Sequence, residues 1–369
     1  MHLLSLLISR LLLCAAVLAT LVSLGAPEAA AALGNRDVAL AYAQPKNQSD
    51  ETFSEQVMCR GSLKGGGSLY ARLMVGNVGP ADGRADLRLR ISVPDGRTWG
   101  LSVRREEGGW KTDRRHLVAD LGDASWTGRI GSYQLKAKNE EVEVELNLST
   151  RMKAFRPSGG NPRFGSGDFY RTTILIPHGK VKGKVVVASE GGGAPEEIPI
   201  EGWVYMEHRA GNRLPFRMAT LWHTALDVSS SGTFVVGAWK ARDAEGGAVR
   251  GWLFKTERSR LAIYEPELKL RTVETKRDRK SGYDVPQVLH LSSPGLSGLS
   301  GVLQVKRLKE RVDDLAKLGG LERFFVKRFA HPVSFRHTAR YLLKLPVSGE
   351  PGEIRKIQGK ATYVFQQFN

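Results

Sequence analysis

Apolar and polar residues alternate with a period of two along most of this chain. Between Asp86 and Val93, leucine, isoleucine and valine occupy the odd-numbered positions, while aspartate, arginine and serine occupy the even-numbered ones. Residues 141–148 alternate in the same way, with glutamate and asparagine on the polar side. Because successive side chains of a strand point to opposite faces, each segment is predicted to be a strand with one buried face. Turn sequences such as Pro94-Asp95-Gly96 separate the strands, which predicts an all-β protein of antiparallel sheets, as a sandwich or as barrels.

One segment departs from this period. Leu308, Val312, Leu315 and Leu318 are spaced by four, three and three residues, and Gly319-Gly320 follows directly. This spacing would place the four side chains on one side of a helix, and glycine commonly follows a helix end. We predict an amphipathic helix inserted in the second half of the chain and packed on a barrel. The alternative is a helix that lies on a membrane surface.

The first 32 residues have the pattern of a secretory signal peptide. Arg10 precedes an apolar run from Leu11 to Leu24, and four alanines follow from Ala29 to Ala32. The run is shorter than the ~20 residues of a membrane span, so we expect cleavage. An uncleaved anchor over residues 3–24 is the alternative. We expect export by a Sec-type signal peptide to the bacterial periplasm or cell envelope, or secretion.

Composition narrows the class of protein. Once residues 1–32 are removed, Cys59 is the only cysteine, which excludes an intrachain disulfide and favours a bacterial envelope over a eukaryotic secretory route. The formal net charge is +17, which indicates anionic surroundings such as a membrane surface. The cations mostly alternate with apolar residues along strands, however, so a solvated sheet face explains them equally well. No nucleic-acid-binding motif is present, and we expect a monomer that does not bind nucleic acid.

A glycine-centred segment in mid-chain has a later counterpart. Ile357-Gln-Gly359 repeats Ile200-Glu-Gly202 about 160 residues further on, and each is followed by a tyrosine. A period of this length is too long for a solenoid and indicates two duplicated domains. We predict a flexible leader over residues 33–52, one domain over residues 53–211 and a second over residues 212–369.

Local catalytic signatures are missing from the sequence. No G-x-S-x-G elbow or phosphate-binding loop is present, and no two histidines have the spacing of metal ligands, so we expect no metal and no cofactor. The strand at Trp203 ends on Glu207 and His208, a carboxylate beside an imidazole that could orient it or exchange a proton with it. Because neighbours on a strand alternate, Tyr205 and Glu207 should share one face and His208 the other, unless the strand bulges.

The same segment resembles a known family. Gly202-x-x-Tyr205-x-Glu207-His208-x-x-Gly211 resembles the G-x-x-Y-x-[DE]-H-x-x-G signature of double-lipocalin (tandem calycin) proteins. That group includes carotenoid hydratases, AttH-like bacterial proteins and the fungal survival-factor family implicated in ceramide transfer. The resemblance implies two antiparallel barrels side by side, with apolar ligands held in or between them. Ala210 stands where the family often has tryptophan, and Glu207 stands where its enzymes usually have aspartate.

Three functions remain open at this point. The first is an exported protein that binds a lipid or another apolar ligand and carries or sequesters it. The alternative is a hydratase-like or cyclase-like enzyme on an isoprenoid or other hydrophobic substrate, with Tyr205, Glu207 and His208 as acid–base candidates. The third is an envelope β-protein with an interaction role and no small ligand. The candidate ligand-binding residues are Phe169, Tyr170, Trp203, Tyr205, Trp222 and His223.

Overall fold

The computed structural model describes most of the chain after the predicted signal peptide. The described residues are 33–77, 82–162, 168–189, 193–243, 247, 249–293, 298–313, 315, 331–346 and 353–368. The predicted signal peptide, residues 1–32, lies outside them. Within these ranges no helix is both long enough and apolar enough to cross a bilayer.

The first sheet is antiparallel and contains eleven strands among the described residues. Its strands are β1 (Ser54–Leu63), β2 (Ser68–Gly76), β3 (Arg84–Ser92), β4 (Thr98–Arg105), β5 (Lys111–Thr112), β6 (Leu117–Asp120), β7 (Ala124–Arg129), β8 (Ser132–Lys138), β9 (Val142–Ser149), β10 (Tyr170–Val187) and β11 (Glu196–Gly211). The strand order is β4-β3-β2-β1-β11-β10-β9-β8-β7-β6-β5.

A short helix, Pro215–Met218, connects the first sheet to the second, which is also antiparallel. The described strands of the second sheet are β12 (Ala219–Ser229), β13 (Gly232–Ala241), β14 (Val249–Glu257), β15 (Arg260–Glu265), β16 (Lys269–Arg277), β17 (Asp284–Ser292), β18 (Ser300–Asp313), β19 (Val333–Pro346) and β20 (Ile354–Gln367). Their order is β15-β14-β13-β12-β20-β19-β18-β17-β16.

The two sheets share one topological rule, because in each the first strand pairs with the last. β1 pairs antiparallel with β11, and β12 pairs antiparallel with β20. Gly202 lies on β11 and Gly359 lies on β20, so the two glycine-centred segments occupy equivalent strands. This equivalence supports the duplication inferred from the sequence. The all-β fold of two lipocalin-like units is confirmed.

Three buried clusters show where the apolar faces pack. The alternating residues of β3 and β9, such as Leu87 and Val144, point into the first cluster, which fills the inner face of the first sheet. A second cluster, which includes Phe234 and Tyr363, fills the inner face of the second sheet. A third, here called the inter-sheet cluster, joins Tyr170, Ile174 and Tyr205 of the first sheet to the outer face of the second. The residues of the second sheet in the inter-sheet cluster include Trp222, Trp239, Trp252 and Phe254.

The predicted amphipathic helix is wrong over its described part. Residues 306–313 continue strand β18, and two described side chains of its proposed apolar stripe, Leu308 and Val312, are 44% and 41% exposed. A third, Leu315, lies beyond the end of β18 and is 6% exposed. Two residues four positions apart lie on one side of a helix, but they also share a face of a strand, so the spacing did not distinguish the two structures. Residue 314 and residues 316–330, which include Leu318, lie outside the described residues.

The leader over residues 33–52 is not the loose segment that we expected. It contains helix α1 (Asn35–Val38), a 3₁₀ turn (Ala41–Ala43) and helix α2 (Pro45–Gln48). Val38, Leu40 and Tyr42 belong to the first buried cluster, so this segment packs against the inner face of the first sheet. The Asn77 amide donates to the Asn47 carbonyl at 2.9 Å and fixes its far end.

Candidate functional site

Strand β11 presents two different polar groups on its two faces. Tyr205, Glu207 and Arg209 point to the outer face, and His208 points to the inner face with Val204 and Met206. The register with β1 is unbroken here, with Glu207 opposite Met58 and His208 opposite Val57. The alternation rule therefore applied as predicted, and Glu207 is not the partner of His208.

The outer group is a buried hydrogen-bonded ion pair. The Tyr205 hydroxyl donates to Glu207 Oε2 at 2.6 Å, and Arg209 Nη2 lies 2.7 Å from Glu207 Oε1. The two side chains of the ion pair are 2% and 14% exposed for Glu207 and Arg209. Burial alone would lower the pKa of Arg209, but the Glu207 carboxylate and the Tyr170 and Tyr205 hydroxyls outweigh it and raise that pKa. Arg209 therefore stays charged and keeps the carboxylate paired.

Aromatic rings of both sheets enclose this ion pair. The Arg209 guanidinium carbon lies 5.2 Å from the ring centroid of Trp222, which also meets Tyr170 edge-to-face at 5.3 Å. The Tyr205 ring lies 6.2 Å from Phe254 of the second sheet. Burial, followed by the charge of Glu207 and the hydrogen bond to it, raises the pKa of Tyr205 well above its ordinary value, so the hydroxyl remains a donor. The buried ion pair therefore lies where the outer faces of the two sheets pack against each other.

The inner group pairs His208 with a residue from the start of the chain. His208 Nε2 makes a very short hydrogen bond with Glu55 Oε1, and the two side chains are 1% and 0% exposed. The Glu55 carboxylate also accepts the backbone N–H of Ala41 at 2.6 Å and of Tyr42 at 2.9 Å. His208 Nδ1 has no hydrogen-bond partner among the residues that the structure describes. Glu55 thus fixes one ring nitrogen and leaves the other free.

Further polar residues surround this pair. Thr173 lies directly opposite His208 on β10, and its hydroxyl is 3.4 Å from Arg156 Nε. Arg156 Nη2 is held at 2.9 Å by Asp37 of helix α1. Burial and the charge of Arg156 lower the pKa of Arg171, while Glu55 acts in the opposite direction. The Glu55 carboxylate therefore lies within the field of the Arg171 guanidinium.

Two clefts open on either side of the leader above this pair. One, of about 530 Å³, is lined by Phe169, Tyr170 and Arg171 together with Arg156 and Lys46, and we call it the mouth cleft. The other has a volume of about 540 Å³. Ala41, Gln44 and Arg171 line both. The remaining cations of the second cleft are Arg36, Arg114 and Arg115. Both clefts are strongly basic and border the segment that Glu55 holds.

The inner group has the arrangement required for proton transfer. A histidine whose one nitrogen is fixed by a carboxylate can use the other as a general base and later as a general acid. The carboxylate stabilises the imidazolium that forms in between, as in Ser-His-Asp hydrolases. The outer group lacks such a free position because Glu207 is shared by a hydroxyl and a guanidinium.

The structure brings only some of the predicted site residues together. Tyr205, Glu207, Tyr170 and Trp222 meet in the inter-sheet cluster. His223 lies on the inner face of the second sheet, where its Nδ1 is 2.7 Å from the Tyr363 hydroxyl. The remaining three occupy three other places: His208 is on the inner face of the first sheet, Phe169 is at the mouth cleft, and Trp203 is half-buried on β11.

Sequence reasoning missed Glu55 and Arg209, and a signal existed for each. Glu55 lies between Phe53 and Val57 on the inward stripe of β1, and a carboxylate at an inward position requires a buried partner. Arg209 follows Glu207 by two residues and so shares its face. Neither the identity of the Glu55 partner nor the packing of Arg209 against Trp222 could be read from local spacing.

The fold of this chain is similar to that of several solved structures. No protein-family model matches the chain, and no curated protein matches it. A putative AttH from Nitrosomonas europaea superposes with a TM-score of 0.53 at 13% identity, over 89% of this chain and 97% of that one. Kievitone hydratase from Nectria haematococca superposes with a TM-score of 0.54 at 12% identity, over 92% of this chain and 97% of that one. CghA with Sch210972 superposes with a TM-score of 0.53 at 10% identity, over 86% of this chain and 89% of that one.

These similarities confirm the resemblance to double-lipocalin proteins at the level of the fold. The proteins of similar fold include a putative AttH and a kievitone hydratase. At sequence identities of 10–13%, these similarities show the fold alone. Any assignment of chemistry therefore depends on the residues of this chain.

Proposed function

We propose that this protein is an acid–base enzyme of the hydratase or cyclase type that acts on an isoprenoid or another hydrophobic substrate, with His208 as the proton-transfer group. The observation that carries the proposal is the buried contact between Glu55 and His208 Nε2, which leaves Nδ1 without a partner among the described residues. The presence of a hydratase among the proteins of similar fold is consistent with it.

In a hydration, each residue of the pair has a defined role. The imidazolium form of His208, stabilised by Glu55, gives its Nδ1 proton to one carbon of the double bond. The water oxygen then bonds to the neighbouring carbon, which carries the developing positive charge, and the water returns a proton to Nδ1. One water is thereby added across the double bond, and both residues regain their starting states.

Substrate access involves the leader. Tyr42 and Ala41 cover Glu55 through their backbone N–H groups, so a substrate entering by the mouth cleft reaches His208 only when this segment shifts. Arg156 and Arg171 at the cleft would bind a polar or anionic end of the substrate, which leaves its unsaturated part near the histidine. Tyr205 and Glu207, the other acid–base candidates, would instead hold the two sheets together.

Isotope incorporation tests this proposal across a range of substrates at once. A panel of unsaturated isoprenoids is incubated with the protein in H₂¹⁸O and, separately, in D₂O, and mass spectrometry measures the label in the products. We expect His208→Gln to reduce incorporation by about a hundredfold or more, the usual size of a general acid–base contribution. Glu55→Gln should reduce it as well, because the imidazolium loses its counter-charge.

A buried histidine outside the pair provides the matched control. His337 lies on the inner face of the second sheet, and His337→Gln should keep full incorporation. No incorporation by the wild-type protein with any substrate of the panel, or equal incorporation by His208→Gln, would contradict the proposal. Loss of incorporation in Glu207→Gln alone would move the proton transfer to the inter-sheet group.

The second candidate is the exported carrier of a lipid or other apolar ligand, without chemistry. It is favoured by one neighbour of similar fold, CghA, whose structure contains the small molecule Sch210972. We expect native mass spectrometry of protein isolated from its own envelope to show a bound lipid, and vesicles loaded with that lipid to exchange it in the presence of the protein. Protein that is free of lipid and inactive in exchange would contradict the carrier function.

A further inference from the structure

A separate cleft of about 630 Å³ lies between the outer faces of the two sheets. Strands β1 and β2 of the first sheet form one wall, and β12, β18, β19 and β20 of the second sheet form the other. Its charged lining residues are Arg60, Lys306, Arg336, Arg340, Lys360 and Asp227. Five of these six residues are cations, and the Asp227 carboxylate is directed away from them, to Tyr341 on the inner face of the second sheet. The cleft therefore has an unbalanced positive charge.

Two guanidinium groups from different sheets meet over one tyrosine in this cleft. The guanidinium carbon of Arg60 lies 5.3 Å from the ring centroid of Tyr70, and that of Arg336 lies 6.0 Å from the same centroid. Tyr70 is directly opposite Arg60 on β2. Cation–π contacts orient both groups without neutralising them, so the like charges remain close together.

The two arginines keep unused hydrogen-bond donors. Within the described residues, the Nε atoms of Arg60 and Arg336 are buried and have no hydrogen-bond partner. Arg336 Nη1 is paired with Glu310 at 2.8 Å, at a half-exposed position. Burial lowers the pKa of Arg60, and the charges of Arg336 and Arg209 act in the same direction. An oxygen anion between the two guanidiniums would satisfy these donors and relieve their repulsion.

The carboxylate that lines this cleft does not fill that role. Burial raises the pKa of Asp227, which disfavours its charged form, and its Oδ2 lies 3.5 Å from the Tyr341 hydroxyl. A carboxyl group held towards its neutral form and directed at a tyrosine contributes little to balancing the arginines. The cationic lining is thus available to a ligand from outside the chain.

We infer that this cleft binds an oxyanion of the phosphate class, with Arg60 and Arg336 as its principal contacts and Arg340 and Lys360 at its rim. Guanidinium donors arranged in a planar fork match phosphate oxygens in pairs, and four cations suit a multiply charged group better than a single carboxylate. This site is independent of the Glu55–His208 pair, because Arg60 points to the outer face of β1 and Glu55 to the inner face.

The wall of the cleft also has apolar parts. Leu226 and Val228 of β12, on the outer face of the second sheet, line it beside the cations. An organic phosphate, with its charged group on the arginines and its carbon chain on these residues, would use both features. The same head-group chemistry is available from a soluble phosphate ester or from an anionic phospholipid, and the experiment separates the two.

Titration calorimetry with inorganic diphosphate, at ionic strength held constant with sodium chloride, tests the site directly. We expect saturable binding by the wild-type protein and its loss in Arg60→Met/Arg336→Met. The exposed pair Arg340→Gln/Lys360→Gln should raise Kd about tenfold or more, a loss of about 1.4 kcal/mol of binding free energy. This rim variant keeps the test valid where substitution of the partly buried Arg60 disturbs folding.

The strands offer a matched control of equal charge. Arg340 and Lys360 are cross-strand partners of β19 and β20, and Lys344 and Lys356 are partners four residues further along the same strands, away from this cleft. Lys344→Gln/Lys356→Gln removes the same charge and should change Kd less than about twofold. Equal weakening by the control and the rim variant would overturn the inference, since it would show diffuse attraction only.

Vesicles identify the source of the phosphate group. Co-sedimentation with phosphatidylcholine vesicles that contain phosphatidic acid is compared with phosphatidylcholine alone, for the wild-type protein and the rim variant. Binding of diphosphate supports a soluble ligand, and rim-dependent binding to phosphatidic acid vesicles alone supports a lipid head group. Absence of binding to both probes would overturn the inference.

Discussion

Arg209→Met should lower the free energy of unfolding by about 3–5 kcal/mol, the loss expected when one partner of a buried ion pair is removed. The substitution keeps much of the apolar stem of the side chain but leaves the Glu207 carboxylate with the Tyr205 hydroxyl, at 2.6 Å, as its hydrogen-bond donor. The uncompensated charge would lie between two sheets and beside Trp222, where water cannot replace the guanidinium.

The double variant Arg209→Met/Glu207→Gln should recover most of this loss. With the carboxylate neutralised, no unpaired charge remains buried, and the amide can still accept the Tyr205 hydrogen bond. Equilibrium urea unfolding of the wild-type protein, both single variants and the double variant gives the coupling energy of the pair. A coupling energy near zero would contradict the geometry described for this ion pair.

An exposed ion pair of the second sheet is the appropriate control. Arg355 Nη2 donates to Glu257 Oε1, and the two side chains are 55% and 39% exposed. Arg355→Met should cost less than about 1 kcal/mol, as exposed pairs do. If Arg209→Met costs no more than this control, the pair is solvated and does not join the two sheets.

The orientation of the candidate residues on β11 was predictable because alternation is a local property. Tyr205 and Glu207 on one face and His208 on the other follow from the backbone of any regular strand. The same rule extended by two residues reaches Arg209, which sequence reasoning missed. Strand β11 therefore contains all three residues of the outer group, but only one residue of the inner pair, His208.

The partner of His208 was beyond sequence reasoning. Glu55 is separated from His208 by 153 positions and meets it only because β1 pairs with β11. Such a first-to-last pairing is a property of the whole sheet, and one sequence does not fix its register. The leader had a signal that was missed, because residues 38–43 form a continuous apolar stripe, and all six are buried. Its otherwise polar composition concealed that stripe.

Acidification provides a test of the second sheet, through His223, which the sequence suggested as a ligand contact. Burial lowers the pKa of His223 to about 3, and the imidazole is enclosed by Tyr363 and Phe365 with a 2.7 Å hydrogen bond to the Tyr363 hydroxyl. The unfolded chain has the ordinary histidine pKa of about 6.5. Above pH 6.5 the residue is neutral in both states, and its contribution to stability does not change with pH.

Below pH 6.5 His223 binds a proton in the unfolded chain but not in the folded chain, so the free energy of unfolding falls as pH falls. The loss continues until the folded pKa of about 3 is reached and amounts to about 5 kcal/mol in total, at about 1.4 kcal/mol for each pH unit. Burial also lowers the pKa values of His178 and His337, which add to the same trend. The contribution of His223 therefore has to be isolated by a variant and not read from the wild-type curve.

His223→Gln should be less stable than the wild-type protein at pH 7, because the shorter amide fills the ring site poorly, and should lose much less stability on acidification. Urea unfolding at pH 7.0, 5.5 and 4.5 measures the two slopes, and His290→Gln, at an exposed histidine of β17, should follow the wild-type slope. Parallel slopes for His223→Gln and the wild-type protein would mean that the imidazole titrates freely in the folded state. That result would contradict the enclosed position of His223 on the inner face of the second sheet, because an imidazole that gains a proton there must reach water or a carboxylate.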